Sequence, residues 1–118
     1  MPVIRNSDVP FEEVAPGWKR RIMINEEKGP AGACMMGEVI LDPGASLKMH
    51  SHKIEEVFFI TEGTGTVVID GETSTAEEGS AVLLPAGSKH TMINKSQQPL
   101  RFSFFHPGIH VGRETFES

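Results

Sequence analysis

Turn-forming residues break the apolar runs of this chain at short intervals, and that punctuation limits what it can fold into. From position 42 onward the signals are Asp42-Pro43-Gly44, Gly63-Thr64-Gly65, Asp70-Gly71, Glu77-Glu78-Gly79, Pro85-Ala86-Gly87 and Gln97-Gln98-Pro99. Proline favours the first central position of a β-turn, and Asp-Gly favours the type I′ turn of a tight hairpin. Between the signals lie short strand-like runs at 18–24, 33–41, 56–61, 66–69, 73–75, 81–84, 90–94 and 100–105. None spaces its apolar residues at the helical period. Eight or more short strands, separated by turns about every 8–12 residues, predict an all-β sandwich or closed barrel.

Details follow from single residues. Trp18 is expected to anchor its strand, Gly37 to mark a bulge, and Cys34 to be a small core residue. Pro2, Pro10, Pro16 and Gly17 interrupt the first 17 residues, leaving room for a short edge strand at Val3-Ile4, with Phe11 or Val14 tacking the segment to the core. The tail from His106 is expected to be loosely structured.

Composition narrows the class of protein. A chain of 118 residues fits one domain, 1–118, with a real core. The net charge of −5, without a basic block, argues against nucleic acid or an anionic membrane as partner. No apolar run approaches the roughly 20 residues of a membrane span. The start Met1-Pro2-Val3-Ile4-Arg5 does not read as a signal peptide. The single cysteine excludes an internal disulfide and fits a reducing compartment, so a cytoplasmic location is expected.

One stretch carries chemistry. His50 and His52 are two residues apart in a run that reads as strand, so both imidazoles project to one face. Glu56 follows a short break at Lys53-Ile54-Glu55 and can fold back toward them, while Glu55 should point to solvent. Two neutral imidazoles and a carboxylate suit a first-row transition metal. A fourth candidate is His90, at the head of a strand that leaves the turn Pro85-Ala86-Gly87 toward a barrel interior. The glycines at 44, 63, 79 and 87 are read as turn residues. Lys48 and Lys53 are expected in solvent, and Lys89 near the cavity rim.

The spacing Gly44, His50, His52, Glu56, Gly63, followed by Gly79, Pro85, Gly87, His90, Asn94, resembles the two sequence motifs of the cupin superfamily at every motif position. The first motif spans 44–63 and the second 79–94, with 15 residues between Gly63 and Gly79, similar to the short gap of small microbial cupins. The resemblance implies a small single-domain cupin: a double-stranded β-helix, or RmlC-like jelly-roll barrel, with a metal inside. Carried over position by position, it implies that His50, His52, Glu56 and His90 are the metal ligands. Such a set leaves an octahedral ion two open positions, and Fe, Mn, Ni, Co and Zn all remain open. It also implies a homodimer, for which the segment from Val3 to Trp18 could supply an exchanged strand.

The resemblance does not choose the reaction, because cupin barrels host many. The chain has no tyrosine, which argues against cupin lyases, epimerases and thiol dioxygenases that use one beside the metal. Small cupins acting on unsaturated uronates place an acidic residue on the last strand, where this chain has Phe102-Ser103-Phe104-Phe105. The candidate pocket is apolar, with Met23, Met49, Phe58, Met92, Phe102 and Phe104, joined by Met35 and Ile60. That lining suits an aromatic or alkene-like substrate and O₂ chemistry. The expectation is therefore a metal-dependent, dioxygenase-like enzyme acting on a small organic molecule. Alternatives are a non-redox lyase or isomerase on a small acid or sugar, and a non-catalytic ligand-binding or sensing cupin. His106 is a candidate acid/base at the barrel mouth, with His110 as a further histidine. Whichever of Arg20, Arg21 and Arg101 faces inward is expected to clamp a substrate carboxylate.

Overall fold

The computed structural model describes residues 3–25, 34–107 and 115–116. Its eleven strands are β1 (Glu12–Ala15), β2 (Trp18–Ile24), β3 (Cys34–Leu41), β4 (His50–Ser51), β5 (Glu56–Glu62), β6 (Gly65–Ile69), β7 (Glu72–Ala76), β8 (Ala81–Leu84), β9 (His90–Ile93), β10 (Leu100–Pro107) and β11 (Thr115–Phe116). Among the described residues the one helical element is a 3₁₀ turn, Asn6–Asp8, and no helix is long and apolar enough to cross a membrane.

Two antiparallel sheets face each other. One has the order β1-β2-β3-β10-β5-β8, the other β11-β4-β9-β6-β7. From β3 on, the chain alternates between them: β4 in the second sheet, β5 in the first, β6 and β7 in the second, β8 in the first, β9 in the second, β10 in the first. That winding makes a jelly roll, as expected. It places β10 between β3 and β5, and β9 between β4 and β6.

Strand alternation decides which side chains fill the barrel. Along β3, Met35, Val39 and Leu41 are buried, while Met36, Glu38 and Ile40 are half-buried on the outer face. On β5 the inward residues are Glu56, Phe58 and Ile60; on β10 they are Leu100, Phe102, Phe104 and His106. The apolar ones among these join Trp18, Leu47, Val67, Leu84 and Met92 in one core cluster. Removing this apolar surface from water is the main stabilising force.

The turn chemistry is as the sequence predicts. Asp70 and Gly71 have φ of 47° and 84°, both positive as a type I′ turn requires. That turn does more than reverse the chain: the Lys89 N–H donates to the Asp70 carboxylate at 2.9 Å, and the Asp70 N–H to the Lys89 carbonyl at 2.8 Å. The β6–β7 tip thereby fixes the residue just before His90.

Several expectations are corrected. The irregularity lies in β2, between Ile22 and Ile24, opposite Gly37 rather than at it. Gly37 is needed for closeness instead, since a β-carbon there would come within 3.0 Å of the Phe104 ring and the Arg21 carbonyl. Cys34 is exposed, because it starts β3 on the outward-facing parity. Val3-Ile4 is not a strand, whereas Glu12–Ala15 is, pairing with β2. Val14 is exposed, while Phe11 lies under the Arg21 guanidinium, 4.4 Å from ring centroid to Cζ. The region from His106 is not uniformly loose: β10 continues to Pro107, and Thr115–Phe116 pairs with β4. The run holding His50 and His52 is a strand only at His50–Ser51; ahead of it Ser46 makes a single bridge to Ile93, and Leu47 and Ala45 follow β9 by individual hydrogen bonds.

Candidate metal centre

His50 opens β4 and His90 opens β9, and the two are direct cross-strand partners in the five-stranded sheet. Glu56 opens β5 in the opposite sheet, and His52 lies in the bend between β4 and β5. All four are buried, at 8 % exposure or less. One ligand atom from each lies within 4.8 Å of those of the other three. The break at Lys53-Ile54-Glu55 makes this convergence possible, because it carries the chain from one sheet to the other. Glu55 stays exposed in that bend, as expected.

Two backbone devices aim the imidazoles. His50 Nδ1 is 2.6 Å from the Lys48 carbonyl, and His90 Nδ1 is 3.2 Å from the Ser88 carbonyl. A carbonyl only accepts, so each Nδ1 carries the proton and each Nε2 keeps its lone pair for the interior. The motif halves are also tied directly: the Gly87 N–H donates to the His52 carbonyl at 2.7 Å. Gly87 has φ of 79°, a left-handed conformation natural for glycine. Ser88 completes the turn by donating both its N–H and its hydroxyl to the Pro85 carbonyl.

The donor set fits a metal ion. Glu56 Oε1 is 3.0 Å from His52 Nε2 and 3.4 Å from His90 Nε2. Glu56 Oε1 and His90 Nε2 are fully buried without a hydrogen bond in acceptable geometry. With the His90 proton on Nδ1, these are two acceptors facing each other, an arrangement that needs a shared proton or cation. Burial, together with the neighbouring imidazoles of His90 and His52, lowers His50 from 6.5 to about 4, so it is neutral and able to ligate at pH 7. Burial alone would raise the Glu56 carboxyl; the imidazoles of His52 and His90 outweigh it and hold Glu56 at about 2. Three imidazoles and one anionic carboxylate, with no thiolate, are a donor set for a divalent transition metal.

Beside this cluster is a cavity of about 30 Å³ lined by Trp18, Arg20, Val39, Leu47, His50, Glu56, Phe58, Phe102 and Phe104. Three of the six residues expected around the metal, Phe58, Phe102 and Phe104, are in this lining. Met92 is instead fully buried against Gly65 and Leu100, where a β-carbon on Gly65 would collide with both. Met23 sits at the β2 irregularity and Met49 just before β4, both half-buried and outside this lining. Trp18 and Leu47 were not assigned to the pocket from sequence, although the even spacing Trp18–Arg20 was a usable signal.

The structure also sorts the arginines. Arg21 and Arg101 lie on the outer face, both bonded to Glu38, and Arg21 further holds the Asn6 side chain and the Val9 carbonyl. Arg20 lines the cavity. His106 is buried on β10, its ring stacked 5.8 Å from that of His52. It also borders a larger apolar recess of about 670 Å³ with Met35, Met36, Val57, Leu83 and Phe105. Lys48, Lys53 and Lys89 are exposed. His110 lies outside the described residues.

Comparison with protein families matches residues 37–107, more than half of the chain, to the Cupin domain. The chain belongs to the cupin family. Within it, the chain is 28% identical over 104 residues to the dimethylsulfoniopropionate lyase DddW of Ruegeria pomeroyi, covering 88% of this chain and 65% of the lyase. It is likewise 28% identical over 109 residues to the polyketide synthase protein CurC of Streptomyces cyaneus, covering 88% of this chain and 71% of CurC. A match to the mannose-1-phosphate guanylyltransferase of Klebsiella pneumoniae is 27% identical over 81 residues and spans only 17% of that enzyme. Among solved structures, the polyketide cyclase RemF of Streptomyces resistomycificus superposes with a TM-score of 0.82 at 26% identity, covering 100% of this chain and 87% of RemF. KdgF of a Halomonas species gives 0.75 at 23%, a likeness of fold.

Proposed function

We propose that this protein is a metal-dependent enzyme acting on a small organic molecule, with His50, His52, Glu56 and His90 holding the ion. The observation that carries the reading is the convergence of four buried donors from two sheets beside a cavity with aromatic walls. A bound divalent cation would supply Lewis acidity and open positions for substrate oxygen atoms. The chain's own residues do the rest. Glu56 offsets part of the positive charge, and the backbone carbonyls of Lys48 and Ser88 keep His50 and His90 in the ligating tautomer. Trp18, Phe58, Phe102 and Phe104 exclude water and offer flat surfaces to an unsaturated substrate. His106, stacked on His52, is the histidine outside the cluster among the described residues and the candidate to move a proton at the substrate.

Within this reading the first candidate reaction is oxygenation of an aromatic or enolic substrate, supported by the apolar lining and by 28% identity over 89 residues to gentisate 1,2-dioxygenase of Aquipseudomonas alcaligenes. Ring closure without O₂ is the second, favoured by the likeness to the polyketide cyclase RemF, which extends over 87% of RemF. A tyrosine-dependent elimination is disfavoured, since the chain contains no tyrosine.

Elemental analysis of purified protein tests the common core: about one transition-metal ion per chain is expected, and none would overturn it. Oxygen uptake on a panel of catechols, enols and styrenes separates the two reactions. Substrate turnover that is identical with and without air rules out the oxygenase.

A further inference from the structure

We propose that Trp18 and Arg20 together form a receptor for a carboxylate, so that the substrate is a small organic acid with an unsaturated body. This rests on the reading of the site as one that binds a small organic molecule. The two residues are two apart on β2 and therefore point to one face. Both line the cavity that also touches His50 and Glu56. The indole Nε1 of Trp18 is buried without an acceptor, in a side chain only 7 % exposed. Nε1 is a donor only, so the group that satisfies it must bring an acceptor.

Arg20 supplies the charge. Among the described residues it makes no ion pair, even though Glu12 stands opposite it in register on β1. Its neighbour Arg21 and the more distant Arg101 are both taken by Glu38 on the other face of the sheet. Glu56, the one carboxylate of the cavity lining among the described residues, faces His52 and His90. Arg20 also borders a second recess with Asp8 and Glu12, but among the described residues no carboxylate pairs with it; a guanidinium and an indole N–H on one face are then a donor pair for an oxyanion.

Size and shape favour a carboxylate over bulkier anions. The cavity of about 30 Å³ admits on the order of two water-sized groups, the footprint of two carboxylate oxygens. Phe58, Phe102 and Phe104 share its wall, so the carboxylate sits in an apolar surround while the body of the acid extends through the cavity mouth.

Calorimetric titration of the purified protein with benzoate, benzamide and inorganic phosphate tests this, with metal content measured on the same samples. Benzoate should bind at least about 10-fold more tightly than benzamide, and more tightly than phosphate. Arg20→Gln should weaken benzoate about 10- to 100-fold while leaving benzamide and metal content unchanged. Arg20→Lys keeps the charge without the fork and should cost about 3- to 10-fold, which provides a second variant should Arg20→Gln fail to fold. Trp18→Phe should cost a similar factor. The receptor is overturned if benzoate shows no saturable binding, if benzamide or phosphate matches it, or if Arg20→Gln binds it as wild type does. A full metal complement with Arg20-independent benzoate binding would sink the receptor alone. Metal-free protein with Arg20-dependent binding would sink the metal-dependent function and leave the receptor standing.

Discussion

His50 and His90 stand directly opposite each other on β4 and β9, their rings 4.4 Å apart, and each Nδ1 faces the carbonyl two residues upstream. The same local device is thus built twice, once in each sequence motif, and it turns two strand openings into a matched pair of interior lone pairs. Neutral imidazoles packed this closely, with Glu56 beside them, gain from a shared cation.

Removing one donor should therefore empty the centre without unfolding the barrel. His52→Ala, in the bend rather than a strand, is expected to lose stoichiometric metal by elemental analysis while keeping a cooperative thermal transition. Full occupancy in that variant would show that His52 is not a ligand. Metal removal from the wild type by a chelator should lower Tm, because an ion that binds only the folded state stabilises it by mass action.

Acid should destabilise the protein in two overlapping steps. His50 is lowered from 6.5 to about 4 in the fold, so the unfolded state takes up more protons between those values. Glu56 is lowered from 4.5 to about 2, so its contribution is present above 4.5 and is lost as pH falls toward 2. Both have the same sign: stability of the metal-free protein falls as pH drops below about 6.5. Denaturant midpoints measured from pH 7 to pH 3 check this, and a midpoint that holds steady across the range would contradict it.

Asn94→Ala should be costly although Asn94 touches no ligand. It is fully buried, and its amide donates to the Leu41 carbonyl at 2.9 Å and the Gln98 carbonyl at 2.7 Å. Its side-chain oxygen accepts from both the backbone and hydroxyl of Ser96. Alanine removes all four bonds, leaving the Ser96 hydroxyl only the Gln98 carbonyl to donate to, a loss of about 2–3 kcal/mol read from urea unfolding. Metal content should persist at neutral pH.

Gly37→Ala should strain the wall of the cavity. The added methyl meets the Arg21 carbonyl and the Phe104 ring within 3.0 Å, and only the ring can yield. Overpacking of this kind costs about 1–3 kcal/mol. Because Phe104 lines the cavity, ligand affinity should drop as well. An alanine variant as stable as wild type would mean that β2 and β3 separate more easily than their packing indicates.

Much of the fold was legible because its signals are local. Asp70-Gly71 encodes a type I′ turn through the φ angles it tolerates, and the pleat of a strand, which sends successive side chains to opposite faces, makes alternation visible in residues such as Met35, Val39 and Leu41. His50, His52, Glu56 and His90 were readable as a set because their spacing is fixed by short turns whose glycines sit at positive φ. Register was not legible, since a one-residue slip exchanges the two faces of a strand and nothing local forbids it. Cys34 was misplaced for that reason, and the β2 irregularity opposite Gly37 could not be located.

By itself, then, the sequence determined where strands and turns fall and which donors stand ready at strand openings, because those depend on backbone preferences within a few residues. Only the tertiary structure decided that Arg20 lines the cavity while Arg21 and Arg101 close on Glu38 outside, that Trp18 brings an unsatisfied N–H to the same wall, and that Met92 fills core instead. Those outcomes depend on pairing β2 with β3 and β3 with β10, contacts between residues far apart in the chain. The sign of a strand's face is set by its neighbours.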